Sequence, residues 1–293
     1  MFRTIAFLAA MMLFGAQELV FAQQLVSATD ADESDYFSKA APFSGSWNYR
    51  GNWFTETEAC GHWTNPSGQP VIRCSLPVKS SPSVTAKGNQ GLEAYLHPRA
   101  LAFREFMDER LSPKWFCLPP SLPASLDGMV GIFDFVSGNE LRITHSYYWD
   151  VRSVWMDGRK HPPGSDRFYN GHSIGRFEGN ELVIESTNFL FDPDGLDDHL
   201  HLPSSYMKKV TERYRPVDDK TMTLTITHED PLFLLKPYTW TIQLQKAAAR
   251  PEGVYNCDTE FNYAEIDAAM RDPYANVNRS TSTSRTGDTR NRN

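Results

Sequence analysis

Histidines, carboxylates and arginines recurring at even spacing among apolar residues carry the chemistry of this sequence. His145 follows Leu141 and Ile143 at steps of two and precedes Tyr147 and Trp149. His228 closes the series Met222, Leu224, Ile226, and Glu212 sits between Val210 and Tyr214. His172, Ile174, Arg176 and Glu178 form a fourth row, while Tyr238, Trp240, Ile242 and Leu244 form the most apolar one. Alternate side chains of a strand share a face, so all five rows are expected to turn to one interior. Polar groups are costly to bury unless paired, and an interior that retains them is a natural place for acid–base chemistry. His172 or His145 is the expected base and Glu212 the partner acid, with Arg176 or Arg159 stabilising developing negative charge. Tyr147, Trp149, His228, Tyr238 and Trp240 are the expected lining for a small apolar or aromatic molecule.

The same residues admit other roles. Glu212 and an arginine could form a buried ion pair, with the histidines serving as hydrogen-bonded core residues. His145, His172 and His228 with Glu212 could instead ligate zinc or iron if three strands aimed them at one point. A carrier in which the polar set only satisfies itself is the third reading. Asp157 and Arg159 form a further candidate pair in the tight turn Met156-Asp157-Gly158-Arg159, where the carboxylate could orient the arginine or a nearby histidine. Residues 192–201, with Asp192, Asp194, Asp197, Asp198, His199 and His201, alternate acidic oxygens but lack the closing Glu of a calcium loop; a solvated loop at a barrel rim is expected there, with no metal. The nucleophile elbow, the Walker loop and the G-x-G-x-x-G fingerprint are all missing from the sequence, so no cofactor is expected.

Elements to position these residues are legible from period and turns. Residues 132–136 and 141–145 flank Ser137-Gly138-Asn139 as a hairpin. Residues 175–177 and 182–185 flank Glu178-Gly179-Asn180 as a second, and 209–215 with 222–228 make a third. Residues 238–245 add another strand. Short connections without intervening helical patterns predict a mainly β, antiparallel meander, closed as a lipocalin-like up-and-down barrel because closure removes exposed edges. The spacing of Leu92, Tyr95, Leu96, Ala100, Phe103 and Met107 predicts a short helix near 92–109, with Pro98 suited to its first turn. The N-terminal region beyond the leader reads as loop-rich.

The chain has 293 residues, a net charge of −7 and 13% aromatic residues. Arg3, the apolar run 5–14 and Val20-Phe21-Ala22 read as a secretory signal peptide over 1–22. A flexible lead-in over 23–42, one β domain over 43–272 and a disordered tail over 273–293 follow. These features point to a periplasmic or secreted protein with no integral membrane segment after cleavage, and the acidic balance argues against nucleic acid as a partner. Cys60, Cys74, Cys117 and Cys257 allow three connectivities, and Cys60–Cys74 with Cys117–Cys257 is the preferred one in an oxidising compartment.

Met156-Asp157-Gly158-Arg159-Lys160-His161-Pro162 and Gly171-His172-Ser173-Ile174-Gly175-Arg176-Phe177-Glu178-Gly179 carry a resemblance, supported by Val210-Thr211-Glu212-Arg213-Tyr214, Glu229-Asp230-Pro231 and Tyr255-Asn256-Cys257. Over residues 90–270 the chain resembles a large family of exported bacterial proteins of mostly unknown function that carry the MDGR-x-HP and GHS-x-GR-x-EG motifs. The resemblance implies a shared fold and pocket and brings no activity with it. Asp258-Thr259-Glu260-Phe261-Asn262 departs from that family's stretch after the cysteine, so Glu260 takes no role from it.

Overall fold

The computed structural model describes residues 33–49, 59–75, 92–126, 131–145, 150–198 and 200–247. The expected signal peptide, Tyr147, Trp149, Cys257, Glu260 and the 273–293 tail lie outside the described residues. Among those described, no helix is long and apolar enough to cross a membrane.

Nine strands close into a barrel in the order β1 (Gly45–Tyr49), β4 (Ile132–Ser137), β5 (Glu140–Thr144), β6 (Val151–Trp155), β7 (His172–Glu178), β8 (Glu181–Thr187), β11 (Lys209–Pro216), β12 (Thr221–Glu229) and β13 (Tyr238–Lys246), after which β13 returns to β1. Chain neighbours are barrel neighbours, as a meander requires. Two hairpins leave the circuit: β2 (Ala59–Thr64) with β3 (Pro70–Ser75), and β9 (Asp192–Asp197) with β10 (Leu202–Ser204). Cys60 and Cys74 are direct cross-strand partners in the first of these.

Strand number has a topological consequence. Directions cannot alternate all the way round a ring of nine, so one neighbouring pair must run parallel. That pair is β6–β7, where Val154 and Trp155 meet Ser173 and Ile174. A parallel pair cannot be joined by a tight turn and needs a long connection running back along the barrel. Residues 156–171, which carry the first motif and the start of the second, make that connection. The expected antiparallel meander therefore holds except at this seam.

The interior is filled by large side chains. Trp47, Phe133, Tyr214, Tyr238 and Trp240 are all at most 1% exposed, and Tyr238 stacks on Trp240 with ring centroids 5.2 Å apart. The Trp47 indole N–H donates to the Phe43 carbonyl at 2.7 Å, fixing the approach to β1. The helix expected near 92–109 is a 3-10 turn at Leu92–Tyr95 followed by α2 over Pro98–Phe106, with proline in the first turn. His97 caps it by accepting the Arg99 N–H at Nδ1, and an isolated bridge between Leu96 and Leu234 ties it to the barrel. The lead-in expected to be flexible over 23–42 contains a helix, α1, at 33–40. Its Tyr36 ring meets Phe135 and Phe177 edge-on, at 6.1 and 5.8 Å, and this aromatic contact is what orders the segment.

Candidate functional site

Parity on four strands, β5, β11, β12 and β13, places the expected interior residues where alternation put them. Glu212 on β11 is 0% exposed and accepts two hydrogen bonds from the Arg152 guanidinium, at 2.6 and 2.9 Å. The Tyr214 hydroxyl donates to the same carboxylate at 2.6 Å. Burial alone depresses the Arg152 pKa, but the Glu212 charge outweighs it and holds the guanidinium above its ordinary range. Burial, then the Glu212 charge, pushes the Tyr214 phenol well above its ordinary value. His145 lies beside this pair, and burial with the Arg152 charge brings its pKa down to about 4. A cavity of ≈ 10 Å³ touches His145, Tyr214, Phe133 and Leu224, which is room for about one water molecule.

The remaining interior candidates are core. His228 is 0% exposed on β12, with Nε2 3.8 Å from an Asp230 carboxylate oxygen. Tyr238 packs against Tyr95 and stacks on Trp240. The expected binding wall formed by these three is closed side-chain packing.

β7 reverses the expectation. Its inward positions are Ser173, Gly175 and Phe177, so His172, Ile174, Arg176 and Glu178 face outward. Gly175 explains the reversal: a Cβ there would come within 2.5 Å of Met156 Sδ and 2.9 Å of Val154 Cγ1. Side chains from β6 and the residue after it fill the space that β7 leaves, and the inward face of β7 is therefore small. His172 and Glu212 lie on opposite sides of the barrel wall and do not form the expected pair. The metal set His145, His172, His228 and Glu212 is likewise split by the wall, and among the described residues no three His, Cys, Asp or Glu side chains are grouped to hold a metal. Arg176 is exposed and pairs with Glu178 at 2.6 Å. Asp157 and Arg159 are a surface turn in which Arg159 returns to its own Asp157 at 2.6 Å and lies 3.8 Å over the Trp155 ring.

On the outer face, however, the crossover connection brings a partner to His172. His161 from the first motif sits with its Nδ1 2.9 Å from His172 Nδ1, the rings edge to face at 5.1 Å. Glu185 on β8 stands behind, one oxygen 3.7 Å from His161 Nε2 and the other 2.5 Å from Lys209 Nζ. Burial lowers the His161 pKa, and Lys209 adds to this while Glu185 opposes it. Burial, His161 and Arg159 in turn lower that of His172. Both rings are therefore neutral near pH 7. His172 is half-buried, and its Nε2 has no hydrogen-bond partner among the described residues.

The connection is pinned rather than draped. The Asn188 amide donates to the carbonyls of Pro163 and Asp166, each at 2.9 Å. The Phe168 N–H donates to Asn188 O at 2.8 Å, and the Leu190 N–H returns to Phe168 O at 2.9 Å. Gly171 enters β7 at φ +69°, where a Cβ would meet Thr187 O at 2.6 Å and the Phe189 ring at 2.7 Å. Phe168, 46% exposed, flanks His172 with its ring centroid 6.4 Å away.

Within residues 192–201, expected as a solvated rim loop, residues 192–197 form β9 of the β9–β10 hairpin instead, and His199 lies outside the described residues. Asp192, Asp194, Asp197 and His201 are each at most 1% exposed. Most of their oxygens are bonded: Asp192 accepts the Ser121 and Asp194 N–H groups at 2.7 and 3.0 Å, and Asp194 Oδ1 meets His201 Nδ1 at 3.1 Å, while Asp194 Oδ2 has no hydrogen-bond partner among the described residues. Carboxylates that satisfy backbone donors can be buried, which the bare alternation of acidic residues did not reveal.

Together these features define a closed, side-chain-filled β-barrel of lipocalin-like form with a half-exposed histidine pair on its parallel seam. No family model matches the chain, and neither a curated protein nor a solved structure matches it.

Proposed function

We propose that the protein carries out cofactor-independent acid–base chemistry, of lyase, isomerase or hydratase type, on a small apolar or aromatic molecule, with His172 as the general base. The observation that carries this reading is the 2.9 Å contact between His161 Nδ1 and His172 Nδ1, backed by Glu185. Two neutral imidazoles can share that contact only if one nitrogen donates and the other accepts. The Glu185 carboxylate favours a proton on His161 Nε2, so His161 Nδ1 accepts from His172 Nδ1–H. His172 Nε2 is then left with its lone pair toward solvent. A carboxylate charge near one imidazole, which is bonded to a second, follows the logic of a catalytic triad with an added member, although the 3.7 Å carboxylate contact is longer than a hydrogen bond. Phe168 supplies an apolar wall for the substrate, and the Arg159 charge, felt at His172, favours developing negative charge.

The reading includes export to an oxidising compartment. In its favour stand the leader pattern of residues 1–22 and the cross-strand placement of Cys60 and Cys74. Membership of the exported family follows the same line, since its two motifs supply His161 and His172.

Solvent-deuterium incorporation into a panel of small aromatic and aliphatic carbon acids, followed by NMR, tests the chemistry. Exchange above the buffer rate is expected for at least one compound, with His172→Gln lowering it by about 10²- to 10⁴-fold. Exchange that survives His172→Gln, or a panel that exchanges no faster than in buffer, would sink the proposal.

A further inference from the structure

A second polar cluster lies under the β9–β10 hairpin and takes no part in the chemistry above. Lys208 is 1% exposed, and its Nζ donates to the hydroxyls of Ser121 and Ser204, both at 2.6 Å. The Phe189 ring face lies 4.4 Å from the same nitrogen. Ser121 and Ser204 are both 0% exposed. Lys208 forms no ion pair with a carboxylate among the described residues. A buried ammonium held by two neutral hydroxyls and a ring recovers little of its lost hydration. Burial accordingly lowers its pKa to about 8, although Asp192 on β9 and Asp230 after β12 pull the other way.

The ammonium balances the nearby charges of Asp192 and Asp230. The geometry is also that of a hydroxyl beside a base, the arrangement that activates a serine. Ser204 and Ser121 are equally buried, but Ser204 lies two residues from Tyr206 and three from Met207, 42% and 50% exposed. Phe191, the neighbour of Asp192, is 45% exposed. Ser121 has its own N–H bonded to Asp192.

We infer that Ser204 and Lys208 form a nucleophile–base pair for acyl transfer from a small apolar ester, reached by local opening of the chain beside the exposed Tyr206 and Met207. Ser204 Oγ bonds to the acyl carbon as its proton passes to Lys208 Nζ. The ester C–O bond then breaks, and the departing alkoxide takes that proton and leaves as the alcohol. Water, deprotonated by the neutral amine, hydrolyses the acyl-serine. Ser121 holds the amine in place. Gly195 is part of the same fit, since a Cβ there would stand 2.1 Å from Ser204 Oγ.

The test is incubation of the full-length protein with p-nitrophenyl butyrate, following nitrophenolate release and mapping the acyl adduct by peptide mass spectrometry. An adduct at Ser204 is expected, forming faster as pH rises and levelling off above about 8. Lys208→Met should lower acylation by about 10²- to 10⁴-fold with the thermal transition retained. Gly195→Ala, which displaces the hydroxyl and removes neither group, should also slow it, while Ser121→Ala should leave Ser204 the labelled residue. No adduct, an adduct elsewhere, or a rate indifferent to Lys208→Met and Gly195→Ala would overturn the inference. His172→Gln should leave this acylation unchanged, so this pair and the His161–His172 pair can fail separately.

Discussion

The two faces of one barrel wall hold polar groups under opposite conditions. Inside, Arg152, Glu212 and Tyr214 are sealed and mutually bonded, with the carboxylate accepting three hydrogen bonds. Outside, His161, His172 and Glu185 meet across longer contacts at half-buried positions, and one His172 nitrogen has no partner among the described residues. The inner set is fixed because each group has lost its water and needs the others. The outer set can exchange protons because it has not. Residues that are equally suited to acid–base work by type are thus separated into a stabilising cluster and a reactive one by which side of the strand they occupy.

The largest effect should come from breaking the inner set. Arg152→Met leaves Glu212 charged and buried without its partner, and a loss of about 3–5 kcal/mol in urea unfolding is expected. Arg152→Met with Glu212→Leu should recover much of that loss, because both charges are then gone. A single variant no more destabilised than the double one would contradict the pairing.

Acid should act next, and mainly through the interior. His145 titrates at about 4 in the folded chain against an ordinary 6.5, so the unfolded chain takes up the proton first. Its contribution is complete above pH 6.5 and is lost as pH falls toward 4, to about 3 kcal/mol in all. A pH series of unfolding free energies should show this slope, and His145→Gln should flatten it. A slope unchanged in that variant would place the titration elsewhere.

Changes on the outer face should be the smallest in stability and the largest in chemistry. His161→Ala and His172→Ala should each shift unfolding by no more than about 1 kcal/mol, while either removes the exchange activity. Arg159→Gln, at an exposed turn, should leave the melting temperature unmoved. Collapse of the fold in His172→Ala would mean that the pair is structural, like its inner counterpart.

Much of the barrel was legible because inward apolar residues are large on most strands. Leu141, Ile143 and His145, the β12 row and the β13 row follow simple alternation, and the hairpin turns lie where glycine and asparagine put them. β7 defeated the rule because its interior space belongs to Met156 and Val154, leaving Ser173 and Gly175 inward and the apolar Ile174 outward. Arg152 went unread although it shares parity with the buried Val154 two residues on, a signal the sequence does contain. The contact of His161 with His172 depends on a crossover forced by an odd number of strands, and local spacing carries no information about strand count. Lys208 escaped notice because a lysine beside another lysine reads as solvated surface, and only its hydroxyl partners, distant in sequence, reveal its burial.

The central claim is that Glu185 and His161 hold His172 as a base with its Nε2 lone pair free. Long-range ¹H–¹⁵N correlation NMR of histidine-labelled protein at pH 7 reads the tautomers directly. His172 is expected to be protonated at Nδ1 and His161 at Nε2, with His172 switching toward a mixed population in Glu185→Gln. A His172 ring protonated at Nε2, or tautomers indifferent to Glu185, would contradict it.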